Sequence, residues 1–381
     1  MAFSSCADPR RSTHLPRPRA VASTASPVQV ALVALLAVGV LTAAWASTAD
    51  AADEGDGVEA RENISYGPER EQRLDVFLPA PDDRNGAAVV LVHGGGWSTG
   101  NRWSMRPSAR RLAAGGFVTV TIDYRLVGET GSPFPDAVLD VQRAVAWLAD
   151  HAATYQVDPS KIGMVGSSAG GHLAAMVATL GTEGDPTAEP LATEPAGDRV
   201  GAVATWSGIF DLSALAPGND TKAACGDDPE CLTLTFPDML SNFLGCTLDE
   251  CPGRYREASP IDHVGDETAP MFIANSTEEL IPLSQPDAMI GKLSAHGVTE
   301  SHQFVPGKAH AAQYTDKVWS NTESFLRNQL GVAGPDLADW LVPSTLAVLF
   351  IAALMAVAVH ERRRHEAATR DTTAAGMTTR T

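Results

Sequence analysis

Basic residues are scarce in this chain. Its 381 residues hold 28 Lys and Arg against 46 Asp and Glu, a formal net charge of −18. The few cations gather at the ends. Before Ser47 one acid, Asp8, faces Arg10, Arg11, Arg17 and Arg19; from Trp340 onward five arginines face Glu361, Glu366 and Asp371. The ends therefore carry +3 and +2, which leaves −23 for the segment between them. A body that acidic argues against nucleic acid and anionic lipid as partner surfaces. Solubility is the plain reading of the charge.

Cysteine is scarce as well, with five in all. No C-x-x-C spacing occurs, and no histidine lies among Cys225, Cys231, Cys246 and Cys251, which argues against a metal site. Cys6 stands apart near the start. An even count of four in an oxidising compartment predicts two disulfides. Sequence alone allows three pairings. The local one, Cys225–Cys231 and Cys246–Cys251, is expected because those pairs are close in sequence.

Two long apolar runs stand at the ends. Val28 to Trp45 follows the Arg-rich start and precedes Ala44-Trp45-Ala46 and Ala49-Asp50-Ala51. That pattern predicts a cleaved signal peptide or an uncleaved signal anchor over residues 1–51. Trp340 to Val359 is long enough to cross a bilayer as a helix at about 1.5 Å per residue. Glu361-Arg362-Arg363-Arg364-His365 follows it, so the positive-inside rule predicts a cytoplasmic tail over 360–381. The expectation is a cell-membrane protein, single-pass or two-pass. A C-terminal transmembrane helix at 340–359 would tether it and hold the segment between the two runs outside the cytoplasm, an extracytoplasmic placement. Residues 52–61, acidic and small, read as a linker.

The body alternates two kinds of pattern. Leu74-Asp75-Val76-Phe77-Leu78 alternates and stops at Pro79, as a half-exposed edge strand would. Ala87 to Val92 and Phe117 to Ile122 are continuous apolar runs, the mark of strands buried on both faces. Arg106 to Ala114 reads as a helix stopped by Gly115-Gly116. Asp136 to His151 places Ala137, Val138, Val141, Val145 and Leu148 at helical spacing. Later strands are expected at Val200 to Trp206, Met271 to Ala274 and Ser301 to Val305. Strands alternating with helices predict an α/β fold, a mostly parallel sheet with helices on both faces. Active groups in such a sheet gather beyond the C-terminal strand ends.

One such end carries the chemistry. Gly166-Ser167-Ser168-Ala169-Gly170-Gly171 directly follows the apolar run Ile162 to Val165 and precedes His172-Leu173-Ala174-Ala175. Strand, sharp turn and helix with Ser168 at the apex make a nucleophile elbow. The helix that follows aims its partial positive charge at Ser168. After Val92 comes His93-Gly94-Gly95-Gly96-Trp97, whose free backbone N–H groups read as an oxyanion loop. The N–H groups of Gly95, Gly96 and Ala169 would hold a tetrahedral oxyanion. His310, in the loop after Gln303-Phe304-Val305, is the candidate base. His302 reads as an outward strand residue; His93 and His172 read as loop-orienting residues. The acid that fixes the tautomer of His310 is expected in Asn275-Ser276-Thr277-Glu278-Glu279-Leu280-Ile281-Pro282, where either glutamate could serve.

Taken together, His93 to Trp97, Asp123-Tyr124-Arg125-Leu126 and Gly166 to Ala174 resemble the α/β-hydrolase esterases of the feruloyl-esterase-like and hormone-sensitive-lipase-like branches, relatives of the kynurenine formamidases. The resemblance covers roughly residues 62–331. It implies an α/β-hydrolase catalytic domain with the triad Ser168, His310 and Glu278. Aligning backward from Pro282 places Glu278 at the acid position, with Glu279 as the alternative. Glutamate there replaces the usual aspartate, and Ala274-Asn275 replaces the usual His-Gly. The resemblance also makes residues 211–255 a cap over the site, stiffened by disulfides. The implied activity is hydrolysis of a small-molecule or envelope carboxylic ester through an acyl-enzyme, with no metal or organic cofactor. Formamidase or peptidase chemistry with the same triad is an alternative. So is a catalytically idle binding protein on the same scaffold.

Overall fold

In the computed structural model, the structure describes residues 57–128, 131, 133–180, 200–215 and 235–333, with 355, 357, 359 and 360. Eight strands form one sheet: β1 Glu59–Ser65, β2 Arg73–Leu78, β3 Ala88–Val92, β4 Val118–Ile122, β5 Ile162–Ser167, β6 Ala202–Trp206, β7 Met271–Ser276 and β8 Glu300–Val305. Their order across the sheet is β1-β2-β4-β3-β5-β6-β7-β8. The first two ladders are antiparallel and the remaining five are parallel. The expected mostly parallel sheet is present.

The helices that matter to the site are α1 Arg106–Ala114, α2 Asp136–Asp150, α3 Ala169–Leu180, α4 Phe236–Leu244, α5 Pro252–Glu257, α6 Ser284–Ala295 and α7 Thr315–Gln329. Strand residues alternate between the two faces they cover. Val90 and Val92 of β3 belong to one core cluster with Val141 of α2, Leu173 of α3 and Met289 of α6. Val89 and Leu91 belong to the cluster on the other face, with Leu112 of α1 and Leu326 of α7. Both faces are therefore dry, which is why β3 reads as an unbroken apolar run and β4 and β5 add only threonine, glycine and serine, all buried.

Two boundary expectations change. The outermost strand is β1, which begins at Glu59 inside the stretch expected as linker. Its ladder with β2 covers the edge, so Leu74 to Leu78 is wholly buried rather than half exposed. The alternation in β2 comes from Asp75, fully buried and paired with Arg102 at 2.9 Å.

The C-terminal transmembrane helix, and with it the membrane-anchored extracytoplasmic placement, is corrected. Among the described residues no helix is long and apolar enough to cross a membrane. The longest described helices, α2 and α7, have 15 residues and carry charges along their lengths. A span needs about 20 predominantly apolar ones. Of 340–359, only Met355, Val357 and Val359 are described, helical and exposed. The remainder, the tail beyond His360 and the signal segment 1–51 lie outside the described residues.

The cap region is described in part. Helix α4 opens with a capping box between Thr235 and Asp238 and closes on Gly245 in the left-handed conformation, φ 79°. Cys246 and Cys251 form a disulfide between α4 and α5. Cys225 and Cys231 lie outside the described residues.

Candidate active site

The five parallel ladders put the C-terminal ends of six strands on one edge, and the candidate residues follow those ends. Ser168 comes directly after β5. Its φ of 53° is left-handed, a strained setting for a residue with a Cβ. Its N–H donates to the Trp206 carbonyl at 2.8 Å, and its carbonyl accepts from the His172 N–H at 3.0 Å as α3 begins. Gly170 lets the elbow close. A Cβ there would stand 2.3 Å from the Val92 carbonyl oxygen and 2.4 Å from that of His93. So helix α3 lies directly on the backbone that leads into the glycine loop.

That loop sits against the serine. A Cβ on Gly94 would be 3.1 Å from Ser168 Cβ. Gly95, Gly96 and Trp97 then run with φ of 122°, 57° and 58°. The Gly95 carbonyl accepts from the N–H groups of Ser98 and Thr99 at 3.1 and 3.0 Å, which fixes the bend. Among the described residues, the N–H groups of Gly95, Gly96 and Ala169 donate to no protein acceptor.

The two loop histidines hold this geometry. The His93 ring stacks on Tyr124 at 4.3 Å, and its carbonyl accepts from the Tyr124 hydroxyl at 3.0 Å. Burial lowers the pKa of His93. His172 is fully buried; its Nδ1 accepts from Trp97 Nε1–H at 3.2 Å, and its Nε2–H donates to the Ala258 carbonyl at 2.7 Å. Burial pushes its pKa down to about 4, so it stands neutral and can do both. His302 is exposed on β8 beside Glu300.

His310 follows β8, and its Nδ1 pairs with Glu279 Oε2. The acid beside His310 is thus Glu279, which corrects the assignment to Glu278. Glu279 lies with its carboxylate fully buried. Its Oε1 accepts from the Ser276 N–H at 2.7 Å and the Ser207 hydroxyl at 2.8 Å. Glu278 is exposed, and its backbone N–H donates to the Gly307 carbonyl at 2.9 Å. That bond and the Thr277 N–H to Val305 carbonyl bond, also 2.9 Å, tie the two loops together and turn the Glu278 side chain outward.

Sequence reasoning passed over Ser207. It follows β6, with φ 54°, and its Oγ accepts from the Ala311 N–H at 2.9 Å. Because Trp206 holds Ser168 and Ser207 holds Ala311, one strand end connects the elbow to the histidine loop. Its position just past a buried strand was the available signal. The arrangement supplies a serine, an imidazole oriented by a buried carboxylate and free N–H donors. That is the equipment for nucleophilic acyl transfer.

The cap closes on the same groups. Phe243 of α4 stacks on Trp97 at 4.5 Å and meets His172 edge-on at 5.6 Å.

Comparison with known proteins agrees with this architecture. The chain is 31% identical over 249 residues to the probable carboxylic ester hydrolase LipM of Mycobacterium tuberculosis, covering 64% of this chain and 52% of that protein. It is 32% identical over 259 residues to Esterase LipQ of the same organism, covering 65% and 56%. The chain thus spans a little over half the length of these curated relatives. A truncated carbohydrate esterase from gut microbiota superposes with a TM-score of 0.61 at 23% identity, over 73% of this chain and 98% of that one, a likeness of fold. The BD-FAE family profile matches residues 74–293, from β2 into α6, which takes in the glycine loop, Ser168, Ser207 and Glu279 but stops short of His310. The chain belongs to the BD-FAE esterase family.

Proposed function

We propose that this protein is a carboxylic ester hydrolase that works through an acyl-enzyme on Ser168. His310 takes the Ser168 proton as the hydroxyl attacks the ester carbonyl. Glu279 holds His310 in the tautomer that leaves Nε2 free to accept. The N–H groups of Gly95, Gly96 and Ala169 receive the oxyanion, aided by the N-terminus of α3. His310 then gives its proton to the departing alcohol, and a water molecule, activated by the same imidazole, releases the acid. The single observation that carries this reading is the pairing of His310 with the buried Glu279, on the edge where Ser168 stands strained beside free backbone donors. The esterase names of the relatives support the same reaction class.

The test is hydrolysis of aryl esters of increasing acyl length by wild type and Ser168→Ala, with fluorophosphonate labelling in parallel. Wild type hydrolyses and is labelled, while Ser168→Ala does neither. Full hydrolysis by Ser168→Ala would refute the reading.

A further inference from the structure

Ser207 does more than fill space behind the site. It is fully buried, so no water can replace its contacts. Its Oγ lies 2.8 Å from Glu279 Oε1, 2.8 Å from the Tyr314 hydroxyl oxygen and 2.9 Å from Ala311 N. Counting protons fixes the directions. An amide N–H can only donate, and a carboxylate can only accept. So the Ser207 proton goes to Glu279, and one of its lone pairs receives the Ala311 N–H. The Tyr314 proton goes to the Ala274 carbonyl at 2.9 Å, which also accepts from the Ser207 N–H at 2.8 Å, and the Tyr314 oxygen lies against Ser207 Oγ. One hydroxyl thus ties together the acid, the residue after the base and the start of α7.

The backbone adds a second argument. Ser207 and Ala311 both hold left-handed φ values, 54° and 45°, and they are joined by the hydrogen bond just described. Glycine would occupy position 207 with less strain. A serine there gives the hydroxyl a reason to be present. We propose that Ser207 is a positioning residue of the site, its hydroxyl holding Glu279 and the His310 loop in catalytic register. This rests on the reading of Ser168, His310 and Glu279 as a catalytic triad.

The experiment compares Ser207→Gly, Ser207→Ala and Ser207→Cys with wild type on one aryl ester. Glycine removes the hydroxyl while relieving the backbone, so a purely conformational role predicts no loss. The proposal predicts kcat lower by about ten- to hundredfold in the glycine and alanine variants, the range for a hydrogen bond to a charged group. KM stays within about twofold, because the hydroxyl touches no substrate. The thiol of Ser207→Cys, a weaker donor, gives an intermediate kcat. In a Glu279→Gln background Ser207→Gly costs less than it does in wild type, since one of the two partners it acts through is already disabled. A glycine variant with wild-type kcat, or losses that multiply in the double variant, would overturn the proposal. Ser168→Ala assayed alongside separates the two failures: hydrolysis there overturns the triad reading itself, whatever Ser207 does.

Discussion

Neighbouring glutamates in one turn have different fates here. Glu279 is buried against His310, Ser276 and Ser207, whereas Glu278 faces solvent. Glu279→Gln should therefore lower kcat by about ten-thousandfold, as expected when the base loses the partner that sets its tautomer. Glu278→Gln should stay within about twofold of wild type, measured by steady-state kinetics on the same ester. The serine, the histidine and the glycine loop were legible because each directly follows an apolar run or sits in a motif. The choice of glutamate was not. It depends on two backbone bonds from Thr277 and Glu278 to the end of β8 and the loop after it, contacts between segments far apart in sequence. Gly170 makes a second residue-scale case. A methyl there would collide with the carbonyls of Val92 and His93. Gly170→Ala should destabilise the protein by about 1–3 kcal/mol in urea unfolding and lower kcat with it, because relief of the clash moves the glycine loop proposed to receive the oxyanion.

Secondary structure was legible where burial is two-sided. The runs around β3, β4 and β5 were found within a residue or so, since strands dry on both faces leave an unmistakable apolar signature. Strand β1 left none: Glu59 to Ser65 is exposed at nearly every position and is held by its ladder with β2. Missing it made β2 look like an edge. Helix α4 shows how elements divide their labour in the cap. Its capping box and terminal Gly245 define its ends, and Phe243 docks it on Trp97 and His172. Phe243→Ala should cost about 3–5 kcal/mol of stability, the usual range for a buried phenylalanine. It should also slow turnover, because Trp97 belongs to the glycine loop proposed to receive the oxyanion. Denaturant titration and kcat on one preparation check both.

At the scale of the whole molecule, the sheet edge gathers residues from five strand ends, and the family match spans four of them, from β3 to β7. The C-terminal apolar run read as a membrane span, but among the described residues every helix is too short or too polar to cross a bilayer. Folding also sets a pH dependence. His172 is held neutral with its pKa pushed down to about 4 from an ordinary 6.5. Between those values the unfolded chain binds a proton that the folded protein refuses. Stability from this group is therefore full above about pH 6.5 and falls as the pH drops toward 4, on the order of 3 kcal/mol in all. Urea unfolding at pH 7.5 and pH 5 should show the decline, and His172→Gln should flatten it. The account as a whole stands on Ser168 as the nucleophile. Rapid acid quench of the enzyme with a slowly deacylated aryl ester, followed by peptide mapping, measures this directly. The account predicts an acyl mass on the peptide containing Ser168, absent in Ser168→Ala. An acyl group on another residue, or turnover by Ser168→Ala, would contradict it.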